Sequence, residues 1–186
     1  LNTQHIAADI TLSPTAKARI EVNEVSRIFQ YENEAGIVYL EPNKQKDRIR
    51  SGIHLSQADI RNLQISECKE ANPSITFRYT ATSNQYGHKT GNRLFIPANV
   101  FRKEFSVPPL TKRTYPIHID YGYTDTDSIR IQLPEGYVIE GLPKPLDVKS
   151  KFGSFHSDIQ VKDKKICIVH RLFMSKGVYS PDEYAA

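Results

Sequence analysis

Apolar and aromatic side chains fall on every second position of residues 117–123: Ile117, Ile119, Tyr121 and Tyr123 alternate with His118, Asp120 and Gly122. Successive strand side chains point to opposite faces, so this spacing predicts a half-buried strand with its tyrosines on the core side. Thr124-Asp125-Thr126-Asp127 supplies turn chemistry, because short polar side chains bond back to nearby backbone. Ile129, Ile131 and Leu133 then alternate with Ser128, Arg130 and Gln132, which completes an expected hairpin. Pro134-Glu135-Gly136 ends it, since Pro lacks a ladder donor and Gly accepts a positive φ. A short strand is expected through Tyr137-Val138-Ile139, with Pro143 and Pro145 breaking it. Ile159 and Val161 alternate with Asp158 and Gln160, and Lys162-Asp163-Lys164 turns the chain. The run from Ile166 to Phe173 is apolar on both faces and predicts a central strand covered on both sides.

In the first half, Ala16, Ala18, Ile20 and Val22 alternate with polar residues, as do Ile75, Phe77, Tyr79 and Ala81. Both runs predict half-buried strands. Between them, residues 41–63 carry Ile49, Ile53, Ile60 and Leu63 at helical offsets, which predicts one or two short helices. Strands at this spacing predict a mainly β fold, an antiparallel β-sandwich of immunoglobulin-like or related type. The proline-rich stretch 97–116, with Pro108-Pro109 inside it, is the expected linker or crossover. It divides the chain into a mixed, mostly-β segment (1–107) and a C-terminal sandwich region (108–186), with one continuous domain as the alternative. Near the end, Ser180-Pro181-Asp182-Glu183 has a capping-box pattern. A helix nucleated there needs more chain to propagate, so the polypeptide is expected to continue past Ala186.

Composition narrows the function classes. The hydrophobic fraction of 39% and charged fraction of 25% are those of a water-soluble globular protein, and no apolar run is long enough to span a membrane. The chain opens on Leu1 without a basic-then-apolar leader, so any targeting signal is expected upstream or already removed. The net charge of +4 comes from scattered cations rather than a contiguous stripe, which argues against nucleic acid. Cys68 and Cys167 lie in strand-like runs without CxxC spacing. Buried free thiols are expected, with a single bridge between two strands as the alternative.

Candidate chemistry is sparse. Cys167 and His170 stand three apart on a predicted strand and so face opposite sides, and Cys68 has no context that would lower its pKa. GxSxG, HExxH, P-loop and GxGxxG patterns are absent. No catalytic residue, cofactor or metal is therefore assigned. His118 and Asp120 share a strand face near Asp125 and Asp127, an arrangement that a hairpin's wet face also produces. Ten tyrosines and eight phenylalanines invite a carbohydrate platform, with Tyr79, Tyr86 and Tyr115 near turns. The expected ligand or partner surface is thus Tyr79, Tyr86, Tyr115, His118 and Asp120.

The second half also resembles a known family. The segments Lys89-Thr90-Gly91-Asn92-Arg93-Leu94-Phe95-Ile96-Pro97, Phe101-Arg102-Lys103 and Tyr115-Pro116-Ile117 carry the likeness in order. Leu133-Pro134-Glu135-Gly136-Tyr137, Leu142-Pro143-Lys144-Pro145, Lys151-Phe152-Gly153-Ser154-Phe155 and the stretch 171–184 continue it. Together, over about residues 72–186, they resemble the C-terminal β-sandwich of unknown function that follows the transglutaminase-like core of bacterial cell-envelope proteins. The resemblance implies a neighbouring papain-like core with a Cys-His-Asp triad, none of whose positions carries over to this chain. It implies a periplasmic or cell-surface location and the core of the same polypeptide as partner. The expected function is a non-catalytic accessory or binding domain; the alternative is an autonomous carbohydrate or surface-polymer binder.

Overall fold

The computed structural model describes residues 2–101 and 113–185. Eight strands build one sheet: β1 (Thr3–Leu12), β2 (Ala18–Arg27), β3 (Asp59–Cys68), β4 (Ser74–Ser83), β8 (Tyr123–Gln132), β9 (Leu146–Ser150), β10 (Gly153–Lys162) and β11 (Lys165–Met174). Their order is β3-β4-β2-β1-β8-β11-β10-β9, antiparallel throughout except where β1 runs parallel to β8. Two small ribbons complete the strands, β5 (His88–Thr90) with β6 (Arg93–Phe95) and β7 (Ile117–Ile119) with β12 (Gly177–Tyr179). The mainly β, antiparallel class read from the alternating pattern is the one that forms. The proline-rich segment around Pro108-Pro109 and the division placed there lie largely outside the described residues.

The period-2 pattern makes one face of this sheet the core. Ile60, Ala81, Ile20, Ile10, Ile131 and Ile166 stand side by side across six strands, and Tyr79, Val22, Ala8, Ile129, Ile168 and Ile159 form the next row. All twelve are buried. Burial of branched aliphatics at about 1.5–3 kcal/mol each is the main force holding the two halves of the sheet together. On the opposite face, Arg130 spans the parallel seam to its register partner Asp9 through two bonds, Nε to Oδ1 at 2.6 Å and Nη2 to Oδ2 at 2.5 Å. Both groups are solvent-exposed, so the pair adds less than about 1 kcal/mol.

Two short helices lie in the N-terminal half, α1 (Phe29–Ala35) and α2 (Pro42–Ser51), joined by a 3-10 turn over Gly36–Tyr39. Pro42 opens α2, where its missing N–H costs nothing, and Arg48 and Arg50 sit in its last turn, where cations suit the helix dipole. Only α2 falls within the stretch expected to be helical. Ile60 and Leu63 belong instead to β3, whose register shifts between Arg61 and Gln64 with Asn62 at φ 53°. That bulge breaks the strict alternation and mimics a helical offset of three.

Other local expectations are corrected. Thr124–Asp127 is not a turn but the first half of β8, and β7 pairs with β12 rather than with β8. The ladders from β1 and β11 satisfy this backbone from both sides, which outweighs local side-chain bonding. The chain leaves β7 after Ile119 and enters β8 at Tyr123, and Gly122 between them passes so close to β11 that a Cβ there would stand 3.0 Å from the Met174 carbonyl oxygen. Tyr121 is consequently not a core residue: it is 51% exposed and stacks on Phe29 at 3.7 Å between ring centroids. Residues 137–139 form a loop without ladder partners. β11 is central, but covered on one side only, with Val169 36% and Phe173 43% exposed on the other. Cys68 is exposed at the end of β3, Cys167 is half-buried on β11, and both are free thiols.

The expected turns at Pro134-Glu135-Gly136 and at Asp163-Lys164 are present, the latter with φ of 50° and 61°. The capping-box residues form a 3-10 helix, Pro181–Ala185, and the Ser180 N–H donates to Glu183 Oε2 at 2.6 Å. No helix among the described residues is long and apolar enough to cross a membrane.

Candidate functional site

Beyond the two apolar rows, the buried phase of the sheet turns polar. The next row reads Glu24, Ile6, Asp127, His170, Ser157, and the one after it Ser26, Gln4, Asp125, Leu172, Phe155. Polar groups on a core face need partners, because leaving one unsatisfied costs about 1–3 kcal/mol. Gln4 Nε2 donates to Glu24 Oε1 at 2.7 Å and to Ser26 Oγ at 3.2 Å. Gln30, on α1, donates from Nε2 to Asp125 Oδ1 at 2.6 Å. Asn99 reaches the sheet from the strap 97–101 and donates from Nδ2 to Asp127 Oδ2 at 2.6 Å, with His170 Nδ1 3.0 Å from the same nitrogen.

These bonds give the imidazole an acceptor role at Nδ1. The Phe101 N–H donates to Asn99 Oδ1 at 2.7 Å, which orients the amide so that its nitrogen faces both Asp127 and His170. His170 Nδ1 is therefore an acceptor, and the ring is neutral with its proton on Nε2. Burial lowers the His170 pKa, which favours the same neutral form. The row Asp127, His170, Ser157 carries the residue types of a hydrolytic triad but not its wiring, in which the carboxylate takes the Nδ1 proton and the serine bonds to Nε2. Here an amide stands between carboxylate and imidazole, and His170 packs against the Phe155 ring at 5.8 Å. A cavity of about 540 Å3 opens over this array, bordered by Ile6, His54, Pro97, Ala98, Phe101 and Leu172. The strap over it is pinned where His54 N–H donates to the Val100 carbonyl at 2.7 Å.

Asp125 also borders a second cavity, of about 580 Å3, which Gln30 lines as well. Phe29, Tyr121 and Tyr123 supply its aromatic wall, and Glu32, Asn33 and Asp120 its polar rim. Burial, then the Asp125 charge, raises the Tyr123 pKa and keeps that phenol neutral. A further cavity of about 710 Å3 lies between β6 and the loop 133–141, beside an exposed Arg93–Glu140 pair at 3.0 Å.

The residues expected to form a surface do not gather. Tyr79 and Tyr86 are buried, not exposed: Tyr79 belongs to the second apolar row, and Tyr86 donates its hydroxyl to the Pro97 carbonyl at 3.3 Å. Burial pushes both phenols far above their ordinary pKa, with the Glu24 charge adding to the effect at Tyr79. Tyr115 is exposed, and His118 is exposed on β7 opposite Val178. Asp120 borders a cavity, the one walled by Tyr121. Among the described residues, no three His, Cys, Asp or Glu side chains gather as a metal ion requires.

Gln4, Asp125, Asp127 and His170 had a signal that the alternating pattern contains. Each stands in phase with buried apolar residues of its own strand, Gln4 with Ile6 and Ile10, His170 with Ile166 and Ile168. Gln30 and Asn99 come from α1 and a loop, where no period marks them.

A search of the curated proteins finds no match to the chain. Residues 92–186, just over half of its length, match a domain of unknown function with solved structure, DUF3858. The matched stretch contains β8 through β11 and the Asp125, Asp127, Asn99 and His170 array, whereas Gln4 and Gln30 precede it. On this match the chain belongs to the DUF3858 family.

Proposed function

We propose that this chain is a non-catalytic accessory β-domain of a larger transglutaminase-like cell-envelope protein, and that it docks on the catalytic core through the outer face of β11. The observation that carries the reading is the second apolar face of that strand. Ile166 to Phe173 has the composition of a doubly covered strand, yet Val169 and Phe173, on either side of Arg171, are left open on this interior strand. Apolar groups on a central strand are where a covering layer belongs. The sequence resemblance supplies the candidate cover, the transglutaminase-like core of the same polypeptide, and with it the periplasmic or cell-surface setting. The wiring of His170 through Asn99 supports a holding role over hydrolysis.

Calorimetry of a longer protein that carries both core and β-domain tests this. A single transition is expected, resolved into two by Phe173→Glu, while the same substitution leaves the melting of the isolated chain unchanged. Two independent transitions in the unsubstituted protein would refute docking.

One observation favours the alternative, carbohydrate or surface-polymer binding. Tyr121 presents a half-exposed ring, braced by Phe29, beside Asp120 and Asn33, which pairs an aromatic platform with hydrogen-bonding groups. Signal on a glycan array that disappears with Tyr121→Ala would support that reading, and a blank array would end it.

A further inference from the structure

The two edges of the eight-stranded sheet are treated differently. β3 is blunted by its bulge at Arg61–Gln64 and has α2 packed against it. At the other edge, β9 pairs with β10 in unbroken register from Leu146 to Ser150, and all five residues are exposed. Lys151-Phe152 form a two-residue turn, so the flanking pair Ser150–Gly153 is the one that exchanges backbone bonds. Alternation then directs the backbone of Val148 and Leu146 toward β10. The N–H and C=O groups of Asp147 and Lys149 point off the free edge.

We propose that a second copy of this chain adds its own β9 to this edge, antiparallel and centred on Val148, to give a two-fold dimer with a sheet running through both copies. In that register Asp147 stands opposite the partner's Lys149, and Lys149 opposite the partner's Asp147. Those two positions also exchange the backbone bonds that the edge leaves open. The strand is thus self-complementary in both charge and hydrogen bonding, which a two-fold interface requires. Leu146 and Val148, each 49% exposed on the core-side face, gain cover, with Val148 against its counterpart. His156 Nδ1 lies 2.7 Å from Asp147 Oδ1 and steadies the carboxylate from its own side. The interface uses the sheet edge rather than the β11 face, so it stands whether or not a core docks there.

Sedimentation equilibrium of the purified chain tests the proposal. A reversible monomer–dimer equilibrium in the micromolar range is expected, because one added strand buries less than a standard interface. A monomeric mass up to hundreds of micromolar would overturn it. Asp147→Lys alone, or Lys149→Asp alone, sets like charges opposite each other at both contacts and should weaken the dimer about tenfold or more. An equimolar mixture of the two variants should recover as a heterodimer in native mass spectrometry, since a chain with two carboxylates then faces a chain with two ammonium groups. The double exchange D147K/K149D should restore the homodimer. Single variants that dimerise like the parent, or a mixture that stays monomeric, would place the contact elsewhere and refute this edge. Unchanged far-UV circular dichroism is the folding control for these exposed positions.

Discussion

Asn99 holds three groups at once: the Phe101 N–H, the Asp127 carboxylate and His170 Nδ1. Asn99→Ala removes all three bonds from a half-buried setting and is expected to lower unfolding free energy by about 1–3 kcal/mol, read from the urea midpoint. His170 gives this array a pH dependence. Its folded pKa lies below the unfolded value of about 6.5, so at mildly acidic pH the unfolded chain binds the extra proton first. The contribution is full above the unfolded pKa and is lost as pH falls through the folded one. Melting temperature should therefore drop on acidification below neutrality, and His170→Gln should flatten that part of the profile. An unchanged slope in the variant would show that another group governs it.

At the scale of elements, the β9–β10 hairpin depends on one glycine. A Cβ on Gly153 would stand 1.9 Å from the Phe173 carbonyl oxygen, so the backbone of β10 or β11 must move to admit it. Gly153→Ala is expected to cost about 1–3 kcal/mol, measurable by chemical denaturation. The β10–β11 turn shows the opposite case. Asp163 and Lys164 both adopt positive φ in a two-residue loop, a geometry that glycine takes without strain. Lys164→Gly should stabilise the protein by about 0.5–1 kcal/mol, seen as a higher melting temperature.

For the whole molecule, the parallel pair β1–β8 is the seam between strands from the two ends of the chain. Ile10 and Ile131 face each other across it, both fully buried. Ile10→Ala removes packing from both halves and should cost about 2–5 kcal/mol in a single transition with an unchanged denaturant slope. Two resolved transitions would mean that the halves unfold separately.

The alternating runs in β2, β4, β10, β11 and the second half of β8, the turns at 134–136 and 163–164, and the presence of α2 follow from local chemistry, period-2 alternation, proline and short polar side chains, whereas β9 and β12 carry no such signal. Those forces act over a few residues, so they are legible without knowing the fold. Pairing was not legible. Nothing local says that Thr124–Asp127, with its turn-forming residues, would be drawn into a strand between β1 and β11, or that β7 would find β12. The same limit hid the candidate site. Asp125, Asp127 and His170 were marked only by standing in the buried phase of their strands, and their partners Gln30 and Asn99 arrive from distant segments. Burial of Tyr86 and exposure of Tyr121 were likewise decided by what packs above each ring, whereas the period of β4 already placed Tyr79 in its buried phase. Local periodicity assigns a side chain to one face of a strand; only the assembled sheet decides whether that face meets a core, a cavity or water.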